Sequence, residues 1–200
     1  MGITDINNAI LSRLNSYYHN VTLWLCTSLE RLYLCIIGVE VASGVQFRGW
    51  TSFFRATHSS IKIGRGCSFN SSQYYNHIGL NHRCVLSTHR PDAKITIGDN
   101  VGISSATINC WKSVSIGNNV RIGANVVIMD SDFHLDDPRT NQPNEIVIDD
   151  NVWLGGNVVV MKGVHIGCNS IIAMNSVVTH DIPENSIAAG SPAKVVRIIE

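Results

Sequence analysis

Ile148-Asp-Asp-Asn-Val-Trp-Leu-Gly-Gly-Asn-Val-Val-Val-Met-Lys-Gly-Val-His-Ile-Gly167 places an aliphatic residue at every sixth position, at Ile148, Leu154, Val160 and Ile166. A period of six matches neither the two-residue alternation of a strand nor the 3.6 of a helix. It suits a chain that runs a short strand, turns a corner and repeats, three sides closing one triangular coil. One aliphatic side chain per side is expected to point at the axis, and the next coil to stack at about 4.8 Å, the spacing of paired strands. The beat continues through Ile172 and Val178 and reaches back to Ile128, Ile122 and Ile116.

The corners carry their own signature. Ile-Gly or a close variant recurs at Ile63-Gly64, Ile97-Gly98, Ile116-Gly117, Ile122-Gly123, Leu154-Gly155 and Ile166-Gly167, often followed by Asn or Asp, as in Gly98-Asp-Asn100 and Gly167-Cys-Asn169. These residues tolerate tight turns and positive φ. Pro91, Pro138, Pro143, Pro183 and Pro192 lie between or after the regular runs, where no ladder N–H is needed.

Between Ile128 and Ile148 the rhythm stops, and a polar loop over 130–145 is expected to bulge from the coil. Its segment Asp130-Ser-Asp-Phe-His134 supplies an imidazole, whose ordinary pKa near operating pH suits a general base. Asp130 and Asp132 are the carboxylates placed to hold the second ring nitrogen and stabilise the imidazolium. The acidic loop lacks the glycine and closing Glu of a calcium loop, and no metal is expected.

Composition narrows the partners. Fifteen Lys and Arg balance fifteen Asp and Glu, so net charge gives a polyanion no purchase and nucleic acid is not expected. The six cysteines are scattered without Cys-x-x-Cys spacing and read as reduced thiols of a cytoplasmic protein.

Residues 1–40 form a helical segment. Leu11, Leu14, Tyr18, Val21, Leu25, Leu32 and Ile36 keep the spacing of one apolar stripe. The first twenty residues lack the basic cap and short apolar run of a signal peptide. Val21 to Val39 is long enough for a membrane span, but Glu30 and Arg31 sit near its middle, and a central Arg alone costs roughly 2.5–3.5 kcal/mol. The expectation is a helix covering one end of the main domain, with peripheral contact at a membrane surface as the alternative. The β-helix then occupies 41–182 and a C-terminal tail 183–200.

The run 148–167, with Ser176-Val-Val-Thr-His-Asp-Ile-Pro183 and Ala189-Gly-Ser-Pro-Ala-Lys-Val-Val-Arg197, resembles the hexapeptide-repeat acyltransferases, nearest the galactoside, maltose and surface-polysaccharide O-acetyltransferases. The likeness covers roughly residues 60 to 198. It implies an all-β fold, a left-handed parallel β-helix, with acetyl-CoA as donor and a homotrimer whose active sites lie between neighbouring subunits. It implies His134 as the catalytic base, oxyanion donors around Gly155 and Gly156, and Trp153 along the acceptor and donor channel. Ala173, Met174, Thr179 and His180 border the pantetheine groove, and Lys194 and Arg197 reach the nucleotide end. Met174 replaces the usual alanine and His180 the usual lysine.

On the acceptor side the candidates are Ser104, Ser105, Asn109 and Trp111. The early repeats resemble members that decorate surface glycans, so the expected reaction is O-acetylation of a sugar hydroxyl of a surface polysaccharide or its precursor. Two alternatives stay open: N-acetylation of an amino sugar or antibiotic-like amine, and a non-catalytic β-helix used for assembly.

Overall fold

The computed structural model describes residues 3–134 and 136–199. Met1, Gly2, Glu200 and the loop residue Leu135, which fall within the segments drawn above, lie outside the described residues.

Short strands follow one another around three faces. Ile146–Ile148 lies on the first, Trp153–Leu154 on the second and Val159–Val160 on the third, before His165–Ile166 returns to the first. Strands of successive coils pair in parallel, and the three sheets hold six, eight and six strands. Trp153 and Leu154 pair with Ile171 and Ile172, 18 residues further on, which is one turn of three six-residue sides. The architecture is a left-handed parallel β-helix.

The six-residue beat is its core. Ile116, Ile122, Ile128, Ile148, Leu154, Val160, Ile166, Ile172 and Val178 are each at most 2% exposed. Each face also buries a residue two positions earlier, Val152 with Leu154, Val158 with Val160 and Val164 with Ile166, because side chains alternate even along a short strand. The expectation of one inward side chain per face is corrected to two. In the last coils the earlier position passes to Ser170, Ser176 and Ser186, all fully buried. The Ser170 hydroxyl donates to the Pro183 carbonyl at 2.8 Å, and that of Ser176 accepts the Gly190 N–H at 3.1 Å, so neither is left unpaired.

Corner residues divide their roles differently from the sequence reading. Positive φ falls on the third corner position, with Asn119, Asn151 and Asn169 at 56°, 61° and 60°. The leading glycine answers a steric demand instead: a Cβ on Gly155 would lie 2.6 Å from the Met174 nitrogen of the next coil. The asparagine side chains stack into a ladder, Asn119 donating to Asn151 at 3.2 Å, Asn151 to Asn169 at 3.0 Å and Asn169 to Asn185 at 2.8 Å.

Helix α1 (Ile3–Ile36) closes the first coil with a mixed face, Leu34 entering the core and polar side chains meeting the coil's open backbone. Thr51 N–H donates to Glu30 at 2.9 Å, Phe47 N–H to the Thr27 hydroxyl at 3.0 Å, and Arg31 to the Ala42 carbonyl at 2.9 Å. The end of the coil offers unpaired backbone groups, which only polar side chains satisfy. The apolar stripe read from the sequence therefore faces away: Leu11, Leu14, Tyr18, Leu25, Leu32 and Ile36 are 44–76% exposed. Among the described residues no helix is long and apolar enough to cross a membrane.

Glu30 is fully buried, and burial pushes its carboxyl from an ordinary 4.5 up to about 8, against a smaller opposing pull from the Thr51 hydrogen bonds. A proton held more tightly in the fold than in the unfolded chain stabilises below pH 4.5, and that contribution is lost as pH rises through about 8. Stability of the native chain should thus decline from about pH 5 to pH 8, by at most about 1.4 kcal/mol per pH unit. Glu30→Gln should flatten the decline in urea titrations at the two pH values; an unchanged slope would show that Glu30 is not its source.

Candidate active site

The chain leaves the third face after Val127–Met129 and rejoins the first at Ile146. Register measures the excursion: Ile122 pairs with Leu154, 32 residues away, whereas Leu154 pairs with Ile172 after 18, so 14 residues are extruded. Asp130 anchors the departure. Fully buried, its carboxylate accepts the N–H groups of Trp111, Lys112 and Ser113 at 2.7, 2.7 and 2.9 Å. Its carbonyl accepts Asn144 N–H at 2.9 Å, and the Asn144 carbonyl accepts Gly163 N–H at 3.1 Å. Both ends of the loop are thus stapled to the coil. Asp132 pairs with Lys162, which also donates to the Asn141 carbonyl at 3.3 Å.

These engagements correct the expected carboxylate partners of His134. Among the described residues, no hydrogen bond joins the His134 ring to Asp130 or Asp132. Asp130 is a structural anchor, and Asp130→Ala, which strips three amides of their acceptor, should cost about 2–4 kcal/mol. Urea denaturation reads that loss, and a change below half a kcal/mol would remove the anchoring role.

His134 itself is exposed. Its N–H donates to the Asp132 carbonyl at 2.8 Å, and its own carbonyl accepts Asp137 N–H at 3.0 Å and the Thr140 hydroxyl at 2.8 Å. The backbone is fixed, and among the described residues the ring has no hydrogen-bond partner. Asp137 is the carboxylate in its field. Hydrogen bonds from Arg139 hold the Asp137 carboxyl below its ordinary range, and the charge of His134 adds a smaller pull in the same direction.

An aromatic wall runs beside the loop. Phe133, held at φ 67°, meets the Trp111 ring edge-on at 5.8 Å; Trp111 stacks on His89 at 5.4 Å and His89 on Phe54 at 5.5 Å. The Arg90 guanidinium lies 5.6 Å from the Trp111 ring centre. Asn109 donates to the Ser87 hydroxyl at 2.9 Å and sits 3.1 Å from His89 Nε2. Burial lowers the His89 pKa, partly offset by the charge of Asp130, so a neutral ring with Nε2 accepting from Asn109 fits. Among the described residues, Asn109 Oδ1 and Trp111 Nε1 are buried without partners. They remain candidates for ligand contact, next to a cavity of about 270 Å³ lined by Arg90, Asp92, Trp111, Lys112 and Gln142.

His89 was not among the sequence candidates. Its signal lay in register, since Ser87 and Thr88 pair with Asn109 and Cys110 one coil on. Ser104 and Ser105, both sequence candidates, have hydrogen-bond partners within the chain. Ser105 is fully buried at φ 48°, its hydroxyl donating within hydrogen-bond reach of both the His82 carbonyl and Asn125. Ser104 accepts from Asn70 and Asn76 at 3.1 and 3.0 Å. Both hydroxyls are engaged with the 73–84 insertion.

The expected donor-binding residues fall on two corners. Gly155, Gly156, Ala173 and Met174 lie where the second face turns into the third. Gly155 N–H is already bonded to the Ile172 carbonyl at 2.8 Å, so it is corrected as an oxyanion donor. Gly156 N–H has no acceptor among the described residues, and a Cβ there would meet nothing nearer than 3.5 Å. Met174 is 63% exposed beside it. Thr179 and His180, joined at 2.8 Å, lie at the other edge of the third face, where the loop also departs. Four residues of strand, about 13 Å, separate the His134 edge from the Gly156 edge. Trp153 is half-exposed on the second face beside Arg121, and Lys194 and Arg197 are exposed on Ala193–Ile198.

Comparisons with known proteins agree with this architecture. A family model described as the hexapeptide repeat of succinyl-transferase matches residues 94–129 and 145–180. The chain is 45% identical over 143 residues to a galactoside O-acetyltransferase of Lactococcus lactis, covering 69% of this chain and 63% of that protein. It is 39% identical over 152 residues to a presumed acetyltransferase of Staphylococcus aureus (strain COL), covering 60% of this chain and 76% of that one. Of the curated relatives it matches first, the chain spans 44–63% of the length. A hexapeptide-repeat acetyltransferase from Vibrio cholerae, solved with acetyl coenzyme A, superimposes with a TM-score of 0.52 at 25% identity, covering 86% of this chain and 78% of that one.

Proposed function

This chain belongs to the hexapeptide-repeat acyltransferase family, and from that premise we propose that it is an acetyl-CoA-dependent O-acetyltransferase acting on a sugar hydroxyl of a surface polysaccharide or its precursor. The observation that carries this reading is His134: a loop stapled at both ends presents an exposed imidazole, without a hydrogen-bond partner among the described residues, next in the chain to Phe133 of the aromatic wall. The chemistry needs that combination. His134 takes the proton of the sugar hydroxyl as its oxygen attacks the thioester carbonyl, and Asp137 stabilises the imidazolium. The new ester bond forms as the carbon–sulfur bond breaks, and the proton passes from His134 to the departing thiolate. Phe133 and Trp111 offer the faces against which a sugar ring packs.

The Gly156 N–H is the remaining donor for the oxyanion. It lies at the edge of the third face opposite the one from which the His134 loop departs, a separation that favours a site in which a neighbouring copy brings the two to one thioester. A homotrimer that sets the Gly156 edge of one copy against the His134 edge of the next does so, with Met174, Ala173 and Trp153 along the donor groove. Thr179 and His180 border it on the loop side, and Lys194 and Arg197 serve the phosphates of coenzyme A. Dependence on acetyl-CoA and the six free cysteines agree with a cytoplasmic enzyme.

The test is incubation with acetyl-CoA and a panel of sugars and nucleotide sugars, each paired with its amino analogue, while free thiol is followed. Thiol release with the hydroxyl sugars is expected. Release with the amines alone would make the protein an N-acetyltransferase, and no acetyl-CoA binding at all would leave an assembly scaffold.

A further inference from the structure

The free face of α1 has an order of its own. Leu11, Tyr18, Leu25 and Leu32 lie seven residues apart, and Leu14, Val21, Ser28 and Cys35 follow each by three. These are the a and d positions of a heptad repeat sustained over more than three heptads. Of the residues that meet this chain's first coil, Thr27, Glu30 and Leu34 fall on positions c, f and c, away from the a and d seam, and Arg31 on the flanking g. The flanking e and g positions widen the stripe with Trp24, Leu29 and Ile36, which are 67%, 59% and 76% exposed. One helix thus has two faces with separate uses: the first is filled by the coil, and the second meets its own chain near Tyr18, whose ring lies edge-on to Tyr74 at 6.0 Å, and at Thr22, whose hydroxyl lies 2.7 Å from that of Tyr75, leaving the stretch from Trp24 to Ile36 largely exposed.

Size argues that the second face is covered. From Leu11 to Ile36 the stripe runs about 38 Å at ~1.5 Å per residue. A monomer's largest apolar patch is typically about 300–600 Å², whereas a lasting complex buries roughly 800 Å² per partner. At about 38 Å the stripe runs roughly seven helical turns, a length over which a second helix can pack along it. Charge argues for what covers it. No a or d position from Leu11 to Cys35 is charged, and Arg31, the one charge on a flanking position in that span, is spent on the carbonyls of Val41 and Ala42. Two copies of the stripe therefore meet without like-charge repulsion. The exposed flanks also lack the Lys and Arg that draw a surface helix to anionic lipid headgroups. A heptad seam is complementary to another heptad seam, and every copy of the chain carries one.

We infer that α1 packs along this stripe against α1 of a second copy of the chain, as a coiled coil separate from any contact between β-helix faces. The inference is independent of acetyl transfer, and its test needs no activity. Leu25 is replaced by the photoreactive residue p-benzoylphenylalanine in the full chain, and isotopically heavy and light chains are mixed before illumination. Mass spectrometry should find heavy–light cross-links from position 25 into residues 11–36. Leu25→Glu with Leu32→Glu, both at exposed positions that leave the first coil intact, should raise the dissociation concentration seen in sedimentation at least tenfold. Absence of cross-links between the helices overturns the inference, even if the chains associate by their β-helix faces. It is equally overturned if the doubly substituted chain sediments like the native one and only its flotation with phosphatidylcholine–phosphatidylglycerol vesicles is lost, which would assign the stripe to a membrane.

Discussion

His134→Ala should lower turnover by about 10²–10⁴-fold while acetyl-CoA affinity stays within a few-fold, the effect of removing a general base from an otherwise intact site. The structure favours so clean a separation because the loop's attachment does not pass through the His134 ring. Asp130 and Asn144 hold its two ends, and only the backbone of His134 is engaged by Asp132, Asp137 and Thr140. Alanine keeps that backbone, so lost activity reports lost proton transfer. Steady-state kinetics with isothermal titration of acetyl-CoA checks it, and native turnover in the variant would remove His134 from the mechanism. Asp137→Asn tests the carboxylate in its field: a smaller fall in turnover is expected, whereas loss confined to stability would mean that the pairing with Arg139 was its whole purpose.

Val160→Asp should abolish folding. Val160 is fully buried and sits between Ile128 of the coil below and Val178 of the coil above. A carboxylate there has neither water nor a cation within reach, and the penalty of several kcal/mol for an unpaired buried charge is comparable with the whole stability of a domain. The neighbouring Val159 provides the control. It pairs with Val127 and Val177 on the outward side of the same strand and is only partly buried, so Val159→Asp should cost about 1 kcal/mol or less. Circular dichroism and soluble yield separate the two variants, and a native-like Val160→Asp would show the inward register to be misplaced.

The scaffold was readable because its constraints are local and repeated. Every coil needs an aliphatic residue at the same point and a glycine where the next coil's backbone passes, so Ile148, Leu154 and Val160 announce themselves by spacing. The site is readable only in part, since its contacts join residues one coil apart. The role of Asp130 depends on three amides 17 to 19 positions upstream, and His89 matters through its stack on Trp111 and its approach to Asn109. Ser105 looked available because its type suits a sugar, yet its positive φ and the closeness of His82 turn the hydroxyl inward. The stripe on α1 misled for a different reason. Apolar periodicity tells that a helix has a sticky face, but not whether its own chain provides the partner.

The asparagine ladder and the parallel strands have no built-in last rung. Each turn leaves the same edge for another identical turn, so nothing in the repeat fixes how many there are. The count is set by two caps. Thr27, Glu30 and Arg31 of α1 occupy one edge, and at the other Ala193–Ile198 doubles back antiparallel over Ser186–Gly190. The body's length is therefore quantised, growing by about 4.8 Å for each 18-residue block inserted, and a chain shorn of either cap would present a template for end-to-end fibres.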